Sequence, residues 1–357
     1  MNKELLNATL FVFGPQRTRR LLARTGDLAQ VWKLTAADFV GLGIKHENAR
    51  ELAARKASFN VESEWKRLRE ENITLIAIDD SLYPPLLKET YAPPLALFVK
   101  GNSECLSCET LAVVGTRSPT SYGKSVVERI VPQLVSAGLT IVSGLAQGID
   151  ALAHEMTLNA GGATIAVLGC GLQTIFPAHN QKLGERILSN GGLIVSEYPW
   201  GVPPLKQHFP ARNRIIAGLA TGTLVVESRL PGGSLITAKA ALEEGREVFA
   251  VPGAITNPAS EGTNALIKEG AVLVRSAGDI LVELNLAPNN TRGESQSREG
   301  LSVDEKKIVA MVEKEPLYID TIIVGLEKPP PEVTVLLTSL ELKGVIKNTG
   351  GNIYTLA

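Results

Sequence analysis

Cysteine is scarce, with three in 357 residues. That excludes a disulfide framework and fits a reducing compartment. Long apolar runs are missing too: the longest, such as Ile165–Leu168, are strand-sized, so no membrane span is expected. The opening MNKELLNATLFVFGPQRTRR lacks the h-region and small-residue cleavage site of a secretory signal. A soluble, cytoplasmic protein is the expectation. A cationic excess is also lacking, because the net charge of −1 argues against a blanket coat for nucleic acid.

Several chemistries are absent as patterns. The four histidines, His46, His154, His179 and His208, show no metal-ligand spacing, and no metal site is expected. Cys105 and Cys108 form a CxxC, but only Cys170 remains elsewhere, short of a four-ligand zinc site. There is no GxSxG nucleophile elbow, no GxGxxG and no GxxxxGK[ST]. Neither NAD nor ATP is supported, and no cofactor is expected.

What is present is organisation. Residues 1–72 are short helical patterns with net charge +4, including a Gly41-x-Gly43 turn. They suit a helical module of the SAM or helix-hairpin-helix kind, or a helical cap on the next domain. From residue 73 to 285, net charge −3, short β-branched runs alternate with helix-length stretches. The runs are Thr110–Thr116, Leu139–Leu145, Ala163–Gly169, Leu193–Pro199, Thr223–Ser228 and Glu247–Gly253. Near-continuous apolar strands alternating with helices predict an α/β fold: a Rossmann-like, doubly wound parallel sheet covered on both faces. Ligands of such a sheet bind beyond the C-terminal ends of its strands. A polar Pro/Gly/Ser-rich stretch predicts a linker over 286–302, and residues 303–357, net charge −2, predict a winged helix of three helices and a hairpin.

Three segments meet at the predicted binding edge. Gly115–Gly123 leaves its strand as a glycine-rich loop and enters a helix near Tyr122, where free N–H groups favour an anion and Arg117 adds donors. Ser143–Asp150 repeats that logic, with Gly144 in the turn and a helix starting near Gly148. Asp150 and His154, four apart, offer an acid–base pair or a hydrogen bond fixing the helix start. The third segment, KQHFPARNRIIAGLA, gathers Lys206, His208, Arg212 and Arg214 around Phe209. Cations near a helix N-terminus are unfavourable unless an anion sits among them. Arginine forks clamp phosphates and Phe209 can stack on a base, as single-strand binders require. Alternatively Arg212 and Arg214 pair with Glu197 or Glu227 and hold loops together; Arg214 is the better candidate for that role, and Lys206 the better for a ligand.

The segments SGLAQGIDALAH, GGATIAVLGCGL, FPARNRIIAGLATGTLVVES, GSLITAKAALEEGREVF and AVPG, in this order, resemble the DprA/Smf DNA-processing proteins. The match runs from about Ile73 to Leu281, while the two ends match in outline. The resemblance implies a cytoplasmic, non-enzymatic protein that binds and protects single-stranded DNA in natural transformation and loads the RecA recombinase. It also implies a homodimer through the Rossmann-like domain. The family's phosphate-binding arginine falls on Arg117, its basic residue before the HFP motif on Lys206 and its base-stacking aromatic on Phe209, while its RNR arginines match Arg212 and Arg214; with Gly144 of the second loop, these are the expected DNA-binding residues. In FPAHNQKLG, Ala178 stands where many relatives carry lysine, with Lys182 a turn away. Gly232 stands where serine is usual.

An enzyme reading rests on Pro231-Gly232-Gly233, shared with nucleotide phosphoribohydrolases that use PGGxGTxxE. Here Leu235, Ile236 and Lys239 occupy that motif's Gly, Thr and Glu positions. Lysine for the carboxylate removes the acid–base partner, so no catalytic residue is expected.

Overall fold

The computed structural model describes residues 1–286, 301–313, 316–326, 328–342, 345–348 and 351–356. The predicted linker lies almost wholly outside the described residues. Two compact units result, Met1–Pro288 and Asn289–Ala357.

Nine strands form one sheet in the first unit: β1 (Thr74–Ala77), β2 (Ala96–Gly101), β3 (Thr110–Val114), β4 (Thr140–Ser143), β5 (Thr164–Leu168), β6 (Leu193–Ser196), β7 (Gly222–Val225), β8 (Glu247–Ala250) and β9 (Val272–Leu273). Their order is β1-β2-β6-β5-β4-β3-β7-β8-β9. From β6 to β9 all pairing is parallel, whereas β2 runs antiparallel to β1 and to β6. The six predicted strands are β3 to β8, and β3 to β7 are buried along their whole length, as a sheet covered on both faces requires. Strand order reverses at β3: the chain steps outward to β4, β5 and β6, then returns to β7 on β3's other side. A ligand crevice belongs at that reversal, at the strands' C-terminal ends.

Six N-terminal helices, α1 (Lys3–Phe13), α2 (Pro15–Thr25), α3 (Leu28–Lys33), α4 (Ala36–Gly41), α5 (His46–Ser58) and α6 (Val61–Glu70), precede β1. Gly43, at φ 85°, makes the turn between α4 and α5. Helix α1 serves two cores. Leu6 and Leu10 pack with Phe98, Leu168 and Leu172 against the sheet, while Val12 and Phe13 join Leu21, Phe39 and Leu52 in a core of the helices' own. The module is therefore welded to the sheet by apolar contact.

The covering helices are α7 (Pro85–Lys88), α8 (Ser121–Ser136), α9 (Ile149–Asn159), α10 (Gln181–Ser189), α11 (His208–Leu219), α12 (Gly233–Glu243), α13 (Glu261–Lys268) and α14 (Ala277–Glu283). The described residues of the second unit hold three helices, α15 (Val303–Val312), α16 (Ile319–Leu326) and α17 (Pro330–Leu342), with a three-stranded sheet of β10 (Leu317–Tyr318), β11 (Ile346–Asn348) and β12 (Ile353–Leu356) in the order β10-β12-β11. This is a winged helix around Ile308, Ile322, Val333 and Leu337. A capping box between Ser302 and Glu305 starts α15. Among the described residues no helix is long and apolar enough to cross a membrane.

Candidate nucleic-acid interface

The loops after β3, β4, β5 and β6 converge at the C-terminal edge of the sheet and are tied to one another. Gly148, at φ 92°, turns the chain into α9 so close to the loop after β3 that an added Cβ would lie 2.3 Å from the Thr116 carbonyl oxygen. Ile149 donates its N–H to that oxygen at 3.2 Å. The Asn180 amide donates to the Leu145 carbonyl at 2.8 Å, linking the loop after β5 to the loop after β4. Phe176 and Phe209 pack with ring centroids 5.5 Å apart, linking the loop after β5 to the start of α11.

The first sequence expectation was an open cradle of N–H groups at the start of α8. The cradle exists, and it holds the protein's own carboxylate. Glu227, 1% exposed, accepts from Thr120 N at 2.9 Å and from Thr120 Oγ1 at 2.6 Å, and its backbone oxygen accepts from Thr116 N at 2.8 Å. A Cβ on Gly123 would sit 2.3 Å from a Glu227 carboxylate oxygen, so glycine is needed for that approach. Glu227 therefore pairs with neither arginine of α11. Arg117 itself is exposed beside this locked loop.

The second cradle is filled in the same way. Gly144 is buried; its N–H donates to Asp150 at 3.1 Å and its carbonyl accepts from Arg212 Nη1 at 2.9 Å. Arg212 is 4% exposed and also donates to the Val167 carbonyl at the end of β5. Its guanidinium is thus turned inward, and neither it nor the Gly144 backbone faces solvent as the phosphate reading supposed. The physical reason is local. Carbonyls at the ends of β4 and β5, together with Asp150, supply the negative field that a cation at this helix start demands.

Burial dominates the electrostatics of this cluster. It raises the Asp150 carboxyl to about 6, against the pull of Arg212 and of the N–H groups of Gly144, Ala146 and Gly115. It lowers Arg212 to about 10, with Asp150 opposing and the charge of Arg117 adding to the fall, which places Arg117 within electrostatic reach. Asp150 and His154 form no acid–base pair. His154 Nδ1 lies 2.8 Å from Thr164 Oγ1, and burial, with the charge of Arg212, lowers the imidazole to about 3.

Arg214 pairs with Glu197 at 2.5 Å, which is the loop-holding role foreseen for it. His208 lies 3.2 Å from the Gly169 carbonyl through Nδ1 and stacks on Tyr198 at 4.0 Å, fixing the start of α11 against the ends of β5 and β6. What the fold leaves outward is Lys206, exposed in the turn before α11, and Phe209, half-buried with one side on Phe176. Lys182 and Ala178 are exposed as well. Neither Lys206 nor Arg117 has an ion-pair partner among the described residues.

Of the three carboxylates, Glu197 holds Arg214 as expected and Asp150 bonds at the start of α9, but the hold of Glu227 on Thr120 was missed. Each lies at the end of an apolar strand or the start of a helix, which was their one signal. In the helix after the PGG segment, Lys239 is exposed and pairs with Glu243 at 3.7 Å on α12. No group of three or more His, Cys, Asp or Glu among the described residues is placed to hold a metal ion.

Comparison with known proteins gives this architecture a lineage. Residues 74–285 match the family model for DNA recombination-mediator protein A, and residues 292–352 match the DprA winged helix domain. Protein Smf of Escherichia coli is 43% identical over 304 residues, covering 83% of this chain and 81% of that protein. The DNA processing protein DprA of Streptococcus pneumoniae is 49% identical over 207 residues, 58% of this chain and 73% of that one. Its X-ray structure superposes with a TM-score of 0.65 at 40% identity, covering 79% of this chain and 96% of that chain. DNA processing protein A of Helicobacter pylori, described for its unique single-stranded DNA binding mode, gives 0.54 at 30% identity over 60% of this chain and 95% of its own. The chain belongs to the DprA/Smf family of DNA-processing proteins.

Proposed function

We propose that the crevice between the loops after β3 and β6 binds single-stranded DNA through phosphate and base stacking. One observation carries this: Glu227, Asp150 and Glu197 satisfy the buried cations and cradles, yet Arg117 and Lys206 stay outward with no ion-pair partner among the described residues, Lys206 three positions before a half-buried Phe209. Cations without internal partners flanking an aromatic suit a strand whose phosphates and base faces are both presented. In this reading Arg117, Lys206 and Phe209 touch DNA, while Gly144, Arg212 and Arg214 hold the loops that carry them. Backbone charge and stacking do not read base edges, so sequence preference is weak. The description of the Helicobacter pylori relative as a single-strand binder supports the same assignment.

The finer reading extends the family's role. The chain acts without catalysis in the cytoplasm, protects incoming single strands in transformation, dimerises through the 73–285 domain and loads the RecA recombinase. Residues 1–72 and 303–357 are accessory modules around it. The winged helix serves protein contact, since residues 303–357 carry a net charge of −2 and Asp304 holds Lys328 at 2.7 Å, a poor surface for a DNA backbone. Removing residues 286–357 should leave oligonucleotide affinity within a few-fold of the full chain.

The deciding experiment titrates the full chain with fluorescent oligothymidylate and with duplex at two salt concentrations, beside Lys206→Glu. Tight, salt-sensitive preference for the single strand, lost in the variant, is the expected result. Equal affinity of parent and variant would remove Lys206 from the site. Absence of binding by the parent would refute the single-strand reading.

A further inference from the structure

The same edge of the sheet carries a second concavity. It lies between the α1–α2 turn and the segment from Tyr198 to His208, with a volume of about 460 Å³. That is within the range of small-molecule pockets, roughly 300–1,000 Å³. Phe11, Phe13 and Pro15 line it from the helical module, and Val202, Pro203 and Leu205 from the loop after β6. Arg55 is the one cationic side chain of the lining, steadied by donating to the Phe11 carbonyl at 3.1 Å, and no carboxylate is part of that lining. Half of this cleft is therefore built by helices that precede residue 74, where the match to the family model begins.

Three features point to one occupant. First, two apolar walls with a guanidinium and the amide of Gln207 suit a ligand that is planar and apolar on one part and anionic on another. Second, the surroundings are cationic. Helix α2 places Arg17, Arg19 and Arg20 in its first two turns, and Arg19 lies near enough to the Glu197–Arg214 pair to feel both charges: its guanidinium is lowered by burial and by Arg214, with Glu197 opposing. Third, the cleft is continuous with the interface described above. Gln207 and His208 line it and stand directly between Lys206 and Phe209 in the chain.

We propose that this cleft is a second nucleotide subsite, which receives the unstacked base of a flanking nucleotide of the strand held at Lys206 and Phe209, with that nucleotide's phosphate on Arg55. The inference rests on the single-strand reading of the Lys206–Phe209 site and extends it into the helical module. The module then becomes part of the binding surface, and the site size exceeds what the sheet domain alone can cover.

The test measures anisotropy with oligothymidylates of increasing length, using the full chain, Arg55→Glu and Val202→Trp, which fills the cleft with an indole. The parent should gain about tenfold in affinity once the strand is long enough to reach the cleft, the gain of one stacked base. Both variants should lose that gain, keep the parent's affinity for the shortest bound oligonucleotide and melt at the parent's temperature. An undiminished length gain in both variants would overturn the subsite and leave the Lys206 site standing. Loss of affinity for the shortest strand as well would also overturn it, since the substitutions would then act by distorting the Lys206 turn. A parent that binds no oligonucleotide would instead defeat the underlying single-strand reading.

Discussion

Arg212 donates to the carbonyl of Gly144 at 2.9 Å, joining residues 68 apart in the chain. The N–H of the same glycine donates to Asp150 at 3.1 Å. A backbone position thus mediates between a buried cation and a buried anion. An added Cβ at Gly144 would lie 2.6 Å from Arg212 Nη2 and 2.7 Å from Asp150 Oδ2, which is why no side chain fits there.

Truncating the cation tests whether it is a clamp. Arg212→Ala leaves the Gly144 and Val167 carbonyls buried without their donor and removes the charge that offsets the burial of Asp150. A loss of about 3–5 kcal/mol in folding stability is expected, measured by urea denaturation. If Arg212→Ala instead kept full stability and lost only oligonucleotide affinity, the guanidinium would belong to the DNA surface.

Exposed cations should behave in the opposite way. Lys206→Glu and Arg117→Glu are expected to change stability by no more than about 0.5 kcal/mol, yet to weaken oligothymidylate binding severely. Each should also flatten the dependence of log affinity on log salt by about 0.7 for the phosphate contact removed. A titration series in potassium chloride reads both quantities.

Phe209→Ala should cost about 1–3 kcal/mol in single-strand affinity, the contribution of one base–aromatic stack. Phe209→Trp should retain binding, because the requirement is a π-face. Equal affinity of the alanine variant and the parent would show that Phe209 serves only its packing on Phe176.

Acid stability carries the signature of two buried groups with opposite signs. His154 is lowered from 6.5 to about 3, so between these values the unfolded chain holds a proton that the folded one refuses. Its contribution to stability is complete above pH 6.5 and fades as pH falls toward 3. Asp150 is raised from 3.8 to about 6, so its contribution is complete below 3.8 and is lost as pH rises through 6. The wider window belongs to the histidine, and the parent should lose stability on acidification below pH 6.5. His154→Gln should flatten that loss, read from urea midpoints across the pH series. A variant as acid-sensitive as the parent would place the proton uptake elsewhere.

Much of the fold was legible because its signals are local. A run such as Ala163–Gly169, apolar but for Thr164, reads as a buried strand, since neither face suits water, and its alternation with helix-length stretches points to parallel pairing. The helix starts near Tyr122 and Gly148 were readable from their loop chemistry, as α8 and α9 bear out. Strands β1 and β2 were passed over. Their antiparallel pairing with each other and with β6 depends on long-range register that short segments do not announce.

The amino-acid sequence by itself determined that cations, glycines and an aromatic gather at the C-terminal ends of parallel strands, and that the chain resembles DNA-processing proteins. It favoured Arg214 for the protein and Lys206 for a ligand but could not place Arg212, because the Gly144 and Val167 carbonyls that hold it lie 68 and 45 residues away along the chain. Tertiary structure decided that apportionment. Burial makes an uncompensated charge costly, so Arg212 and Arg214 turn to internal oxygens. Solvent lets Arg117 and Lys206 stand without ion-pair partners among the described residues, and such cations are what a phosphate can take.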